Sequence, residues 1–301
     1  MLCLLCSKNA SVPFLHQGEF RWVKCLSCNL LYIDPLPSIE QIKDIYQRDT
    51  GKTFNVQADM VEAFEKGLEA RKRFRIISPY LQGKKVLEIG CGAGYLLSHL
   101  RACGYNVAGT ELSPALIDYA RKIRRLDVYH GDEEIPSGLD VILLFNVLSH
   151  LRDPILSMRR FNSMLKDRGH LILETGNLAE LKEVHRVELN APEHLYHFSQ
   201  HSLQRLLDQT GFKLKHVFRA SIKWQLYLLK IGQMFRPGKH KELPRALTHP
   251  TSLRSFLKRV SSYLLLWLRY DWGHWIASSK DYCTLIVVAE KRPNEYPLPH
   301  I

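Results

Sequence analysis

The sequence predicts an α/β protein built on a parallel, doubly wound sheet. Three observations carry that expectation. Short β-rich runs recur at Lys85–Gly90, Asn106–Glu111, Asp127–His130, Asp140–Asn146, His170–Thr175, Lys213–Arg219 and Thr284–Glu290. Helical stretches separate several of them, and strands alternating with helices give parallel sheets covered on both faces. The first run, "VLEIGCGAGYLL" (Val86–Leu97), passes through a glycine-rich turn into more apolar residues. Such a turn lies beyond the carboxyl end of a strand, where these sheets bind ligands.

The helices carry their own punctuation. A helical segment is expected from about Ser38 to Tyr80. Ser113 followed by Pro114 combines an N-cap with proline at the first helical position, and "SQHSLQRLLDQTG" runs from a capping serine to a terminal glycine. The expected organisation is a zinc-ribbon module at 1–37, a helical linker or cap at 38–81 and the α/β core at 82–218. A basic, tryptophan-rich helical insertion at 219–280 and the last core strand with a tail at 281–301 complete it.

With 301 residues, 46% hydrophobic and 24% charged, the chain can bury a sizeable core and is not a disordered protein. Met1 to Cys6 is apolar but too short for a signal peptide and lacks a charged leader. The late run "YLLLWL" falls far below the roughly 18–20 apolar residues that span a bilayer. A cytoplasmic location is therefore expected, with peripheral contact at the inner membrane face as its variant. The net charge of +12 is regional: residues 213–301 hold 16 Lys+Arg against 5 Asp+Glu. That pattern implies a local basic surface.

Four of the seven cysteines fall as Cys3-x2-Cys6 and Cys25-x2-Cys28, with 18 residues between the pairs. Two such knuckles can place four thiolates around a tetrahedral Zn²⁺. Four cysteine ligands leave no position for water, so the metal is expected to be structural. About 37 residues carry too little apolar surface to fold alone, and metal binding would supply the missing stability. Cys91, Cys103 and Cys283 fit no ligand spacing and are expected as core thiols.

The turn at Gly90, Gly92 and Gly94 is G-x-G-x-G; Tyr95 stands where a dinucleotide fingerprint wants its third glycine. Glu88 precedes the first glycine by two residues, and a carboxylate there disfavours a phosphate and favours a cationic ligand. Glu111 ends the second strand, where a carboxylate accepts hydrogen bonds from both hydroxyls of a ribose. A ribose and a positive charge without a phosphate describe S-adenosyl-L-methionine. Together with "GTELSP", "HGD" and "DVILLFNVLSHLRDP", the turn resembles the class I S-adenosylmethionine-dependent methyltransferases, whose sheet is Rossmann-like and seven-stranded. The paired CxxC module and "PEHLYHFS" resemble the bacterial quinone-, sugar- and metabolite-modifying type. The resemblance implies that Glu88, Gly90, Cys91, Gly92 and Gly94 frame the methionine end and that Glu111 and Leu112 border the ribose. It further implies that Gly131 and Asp132 flank the adenine, while Asn146 and Val147 line the wall beside the sulfonium.

A cofactor with an activated leaving group needs mainly alignment from the protein, worth roughly 7–11 kcal/mol. For a hydroxyl acceptor a general base adds about 10²–10⁴-fold. His150, after the fourth core strand, and His194, in the long loop Gly176–Ser199, are the candidates; His197 and His185 rank behind them. That loop is expected to be polar and irregular, a lid over the acceptor. The bland alternatives are a histidine capping the helix near Pro154 and one tying down the lid. The expected activity is methyl transfer, to oxygen first, of a small-molecule, sugar, glycan or lipid-linked acceptor. An RNA methyltransferase and a catalytically inactive cofactor-binding scaffold are the alternatives. Arg219–Lys280 holds twelve Lys+Arg, two acids and four tryptophans. That segment suits an anionic membrane surface, less well nucleic acid, or an ordinary amphipathic helix over the pocket. The N/D-P-P-Y/F pattern of base amino methylation is absent after the fourth strand.

Overall fold

The computed structural model describes residues 2–38, 40–42, 60–131, 135–180, 189–220 and 284–293. The expectations for the 219–280 insertion beyond Ala220, and those for Asp132, His185 and Cys283, lie outside them.

The chain opens with three antiparallel strands, β1 (Ser11–Gln17), β2 (Phe20–Cys25) and β3 (Leu31–Ile33). Helix α1 (Met60–Ile77) follows, so the helical stretch expected from Ser38 is described as a helix only at Glu40–Ile42 and from Met60 onward. Then come β4 (Lys85–Ile89), α2 (Tyr95–Ala102), β5 (Asn106–Glu111), α3 (Pro114–Lys122), β6 (Asp127–His130) and β7 (Leu139–Phe145). The chain continues with α4 (Pro154–Met164), β8 (Leu165–Gly176), β9 (Tyr196–His197), α5 (Gln200–Gln209), β10 (Phe212–Ala220) and β11 (Thr284–Lys291).

All seven expected core strands form one sheet in the order β10-β11-β8-β7-β4-β5-β6. β7 is buried on both faces from Val141 to Phe145, as an unbroken apolar run in a covered parallel sheet should be. One expectation needs correcting: the sheet is not wholly parallel. β11 runs antiparallel to both β8 and β10, with Thr284 opposite Gly176 and Phe212 opposite Lys291. A β-rich run of sequence carries no record of its direction; only the register with both neighbours sets it. β4 pairs in parallel with β5 on one side and β7 on the other. The strand order therefore reverses beside β4, which puts the crevice at the glycine turn.

Helix punctuation is partly as expected. Ser199 caps α5 with a reciprocal capping box to Ser202. The Asp153 side chain caps α4 by accepting from the Leu156 amide at 2.8 Å, so His150 is not that cap. Ser113 makes no side-chain cap; its amide donates to Glu111 instead, at 3.0 Å.

The largest departure concerns the lid. Residues 181–188 lie outside the described residues, and the end of the segment is less polar than expected: Leu195, Tyr196, His197 and Phe198 are buried. Tyr196 and His197 form β9, which pairs antiparallel with β3 and completes a four-stranded sheet, β1-β2-β3-β9. A strand of two residues leaves no alternation for sequence to display. One apolar core accordingly runs from Cys3, Trp22 and Tyr32 through Tyr196 and Phe198 to Leu87, Leu144 and Leu171. Cys91 is a core thiol as expected, but Cys103 is exposed at the end of α2.

Candidate active site

β4 delivers the glycine turn. Gly90 and Gly92 have φ of +67° and +56°, a left-handed conformation that L side chains rarely adopt. A Cβ on Gly90 would lie 2.6 Å from Val147 Cγ2, so the turn sits directly against the chain leaving β7. At Gly92 a Cβ would meet nothing within 4 Å; its surroundings are open space. Cys91 turns its thiol inward against Gly109, and burial raises that thiol's pKa. Gly94 hands the chain to α2.

Glu111 organises the turn from β5. One carboxylate oxygen accepts the Gly92 amide at 2.9 Å; the other accepts Leu112 and Ser113 at 2.8 and 3.0 Å. Three backbone donors thus fix the carboxylate beside the open space. Leu112 is exposed, and Gly131, after β6, lies beside it: a Cβ there would be 3.2 Å from Leu112 Cδ2.

Glu88 behaves differently. It is 4% exposed, and its Oε2 has no hydrogen-bond partner among the described residues. Burial raises its pKa to about 8, against the pull of Arg73 and with further push from Glu69 and Glu111. Sequence reasoning missed this neighbourhood. Arg73 on α1 binds Glu174 on β8 at 3.0 Å and Glu69 at 2.9 Å, and lies 4.6 Å from the centre of the Phe145 ring. An arginine in a helix otherwise rich in charge carries no sequence signal of burial. The buried Oε2 and the open space at Gly92 fit a ligand that carries a cation and ribose hydroxyls. The expectation for Glu88 is refined: burial favours the protonated form of its side chain.

Asn146 and Val147 follow β7. Asn146 has φ +58° and is exposed, with its amide donating to the Glu174 carbonyl at 3.0 Å. A short 3-10 turn, Leu148–His150, comes next and brings the two candidate histidines together. The His150 and His194 rings are centred 4.5 Å apart, and His194 and His197 5.5 Å apart. His150 Nδ1 donates to the Glu193 carbonyl at 2.8 Å; His194 Nδ1 bonds the Ser149 hydroxyl, also at 2.8 Å. Burial lowers all three pKa values, those of His194 and His197 to about 4. Burial thus favours the neutral form of both His150 and His194. His197 is 4% exposed, donates Nε2–H to the Leu189 carbonyl at 3.1 Å and lies against Trp22. It ties down the segment.

The four cysteines converge as the spacing predicts. Their sulfurs lie within 4.8 Å of one another, all buried, with Cys3–Cys28 and Cys6–Cys25 at 3.6 Å. A tetrahedron with bonds of roughly 2.3 Å has edges of about 3.8 Å, so the set fits Zn²⁺ and is too wide for disulfides. The hydrogen bond between the two sulfurs lowers the pKa of Cys3 and, with burial, raises that of Cys28.

A family model described as "Methyltransferase domain" matches residues 62–217, which is more than half of the chain. The chain belongs to this family. The Pseudomonas aeruginosa ubiquinone biosynthesis O-methyltransferase is 33% identical over 107 residues, 32% of this chain and 46% of that one. A mitochondrial protein of the same name from Schizosaccharomyces pombe is 33% identical over 104 residues, 31% of this chain and 38% of that one. The chain thus spans less than half the length of these relatives. Among solved structures, a chain from the complex of a Haloferax volcanii methyltransferase with its Trm112 activator superposes with TM-score 0.50 at 15% identity. The match covers 86% of this chain and all of the other. That likeness concerns the fold, which is the class I methyltransferase fold. No helix among the described residues is long and apolar enough to cross a membrane.

Proposed function

We propose that this chain transfers a methyl group from S-adenosyl-L-methionine to an oxygen of a small-molecule acceptor, a class that includes sugars and lipid-linked compounds. The observation that carries the reading is the pair of unlike carboxylates at the glycine turn. Glu111 is fixed by three amides beside open space, and Glu88 is buried with an unsatisfied oxygen. Names of relatives support oxygen as the target, since both are called O-methyltransferases.

In this reading Glu111 accepts the ribose hydroxyls, with Leu112 along the same edge. Gly90, Cys91, Gly92 and Gly94 bring backbone close to the methionine end, and Glu88 balances its positive charge. Gly131 flanks the base; Asn146 and Val147 border the reacting centre. When bound, the cofactor supplies an electrophilic methyl on a sulfonium. The protein aligns the acceptor, excludes water and removes one proton. His150 and His194 are the candidates for that proton because both are held neutral at a wall next to Val147. Zn²⁺ on Cys3, Cys6, Cys25 and Cys28 is structural, its shell being complete.

Calorimetry with S-adenosylhomocysteine tests the cofactor half, and methyl transfer across hydroxylated acceptors tests the rest. Tight binding of NAD or FAD with indifference to adenosylhomocysteine would sink the reading.

A further inference from the structure

We propose that the cysteine-clasped hairpin positions His194: its metal and the Gln17 side chain hold the segment Leu189–Ser199 in register with Ser149 and His150. The proposal rests on the functional reading only in taking His194 as part of the acceptor side.

The segment has almost no regular structure of its own and takes its position from two neighbours. On one side lies the end of the core strand β7. Ser149 bonds His194 through its hydroxyl and accepts the Leu195 amide at 2.8 Å, while His150 donates to Glu193. On the other side lies the hairpin, which touches the segment on both sides of His194. Gln17 Oε1 accepts the Ala191 amide at 3.0 Å and the Trp22 indole N–H at 3.3 Å. The Ile33 amide donates to the Leu195 carbonyl at 3.1 Å, and β3 pairs Leu31 with His197 and Tyr32 with Tyr196. The Ser199 hydroxyl donates to the Cys28 carbonyl at 3.4 Å. His194 is thus bracketed by hairpin contacts at Ala191 and at Leu195–Ser199.

The metal enters through β3. Cys25 ends β2, and Cys28 stands three residues before β3 begins, so both ligands sit in or beside the turn between the two strands. Four thiolates about 3.6 Å apart in pairs repel one another unless a cation lies between them. Losing it releases the turn, then β3, then β9. The strand pairing of the hairpin reaches β9 and not β4 or β5; β4, which holds the glycine turn, shares with it only the apolar core at Leu87 and Ile89.

Hydrogen exchange read by mass spectrometry tests this on the full chain carrying zinc. Chelation is expected to speed exchange across 189–199 by about tenfold or more, the scale of losing one or two hydrogen bonds. Exchange in β4 and β5 and the affinity for adenosylhomocysteine should stay unchanged. The imidazole NMR titration of His194 should move up from about 4 toward 6.5. Gln17→Met, which keeps all four ligands, should speed exchange at 189–199 with full zinc content, and Gln17→Glu, which keeps an acceptor oxygen, should restore it. The proposal is overturned by a chain that binds no zinc, by unchanged exchange at 189–199 after chelation, or by equal loosening of β4 and β5. A silent Gln17→Met would overturn it too. Failure of adenosylhomocysteine to bind at all would remove the functional reading but leave the exchange result to stand or fall alone.

Discussion

The two walls of the candidate site are built in opposite ways. The glycine-turn wall comes from one stretch, Glu88 to Ser113, and its contacts are made largely by backbone: tight turns at Gly90 and Gly92 and three amides on Glu111. The histidine wall is assembled from three distant segments, 17–33, 146–150 and 189–199, joined by side-chain hydrogen bonds and by backbone pairing between segments. Backbone geometry demands particular residues, above all glycine, at particular positions. Assembly across distant segments demands only that the pieces meet. In the proposed function the first wall holds the cofactor and the second faces the acceptor.

The comparison breaks most visibly at Gly90. Gly90→Val imposes a β-branched residue at φ +67° and drives its Cβ toward Val147. Strain and overpacking of roughly 1–3 kcal/mol each should weaken adenosylhomocysteine binding by about 10²-fold or more, read by calorimetry. A substitution of equal size in the histidine wall should leave that affinity intact.

The second wall is tested by His150→Ala and His194→Ala, singly. The variant that loses the base should transfer methyl groups about 10²–10⁴-fold more slowly with unchanged cofactor affinity. Unaltered turnover in both would remove general-base catalysis from the account.

The walls also titrate in opposite directions, which sharpens the contrast. Glu88 is raised from 4.5 to about 8, so the folded state holds a proton that the unfolded state has released. Its contribution to stability falls as pH rises from about 4.5 to 8. His194 and His197 are lowered from 6.5 to about 4, so the unfolded state binds protons first. Their contribution is intact above 6.5 and is lost as pH falls toward 4. Urea unfolding across pH 4–9 should show Glu88→Gln removing the alkaline decline and His194→Gln with His197→Gln removing the acid decline. Each change should be on the order of a few kcal/mol. Identical profiles for the variants and the parent would show that the two walls do not titrate with folding.

The smallest expected effect is that of Ser149→Ala. Losing one hydrogen bond to His194 Nδ1 should cost about 1 kcal/mol in unfolding experiments. It should raise the KM for the acceptor while leaving adenosylhomocysteine affinity unchanged.

Local signals made much of this protein legible before its structure. Seven strands, the glycine turn and Glu111 follow from apolar periodicity and from glycine where φ is positive. The convergence of Cys3, Cys6, Cys25 and Cys28 follows from spacing, because two short knuckles need only one hairpin to meet. Those features depend on residues close together in the chain, and a short stretch of sequence holds all the constraint they obey. What the tertiary structure alone decided lies between elements. It set the antiparallel course of β11, the ion pair of the partly buried Arg73 with Glu174, the unsatisfied oxygen of Glu88, and the joining of β9 to β3 that ties the end of the expected lid to the cysteine hairpin. Strand direction and burial are properties of a neighbour as much as of the residue itself. A two-residue strand such as Tyr196–His197 has too little pattern of its own to announce the partner that fixes it.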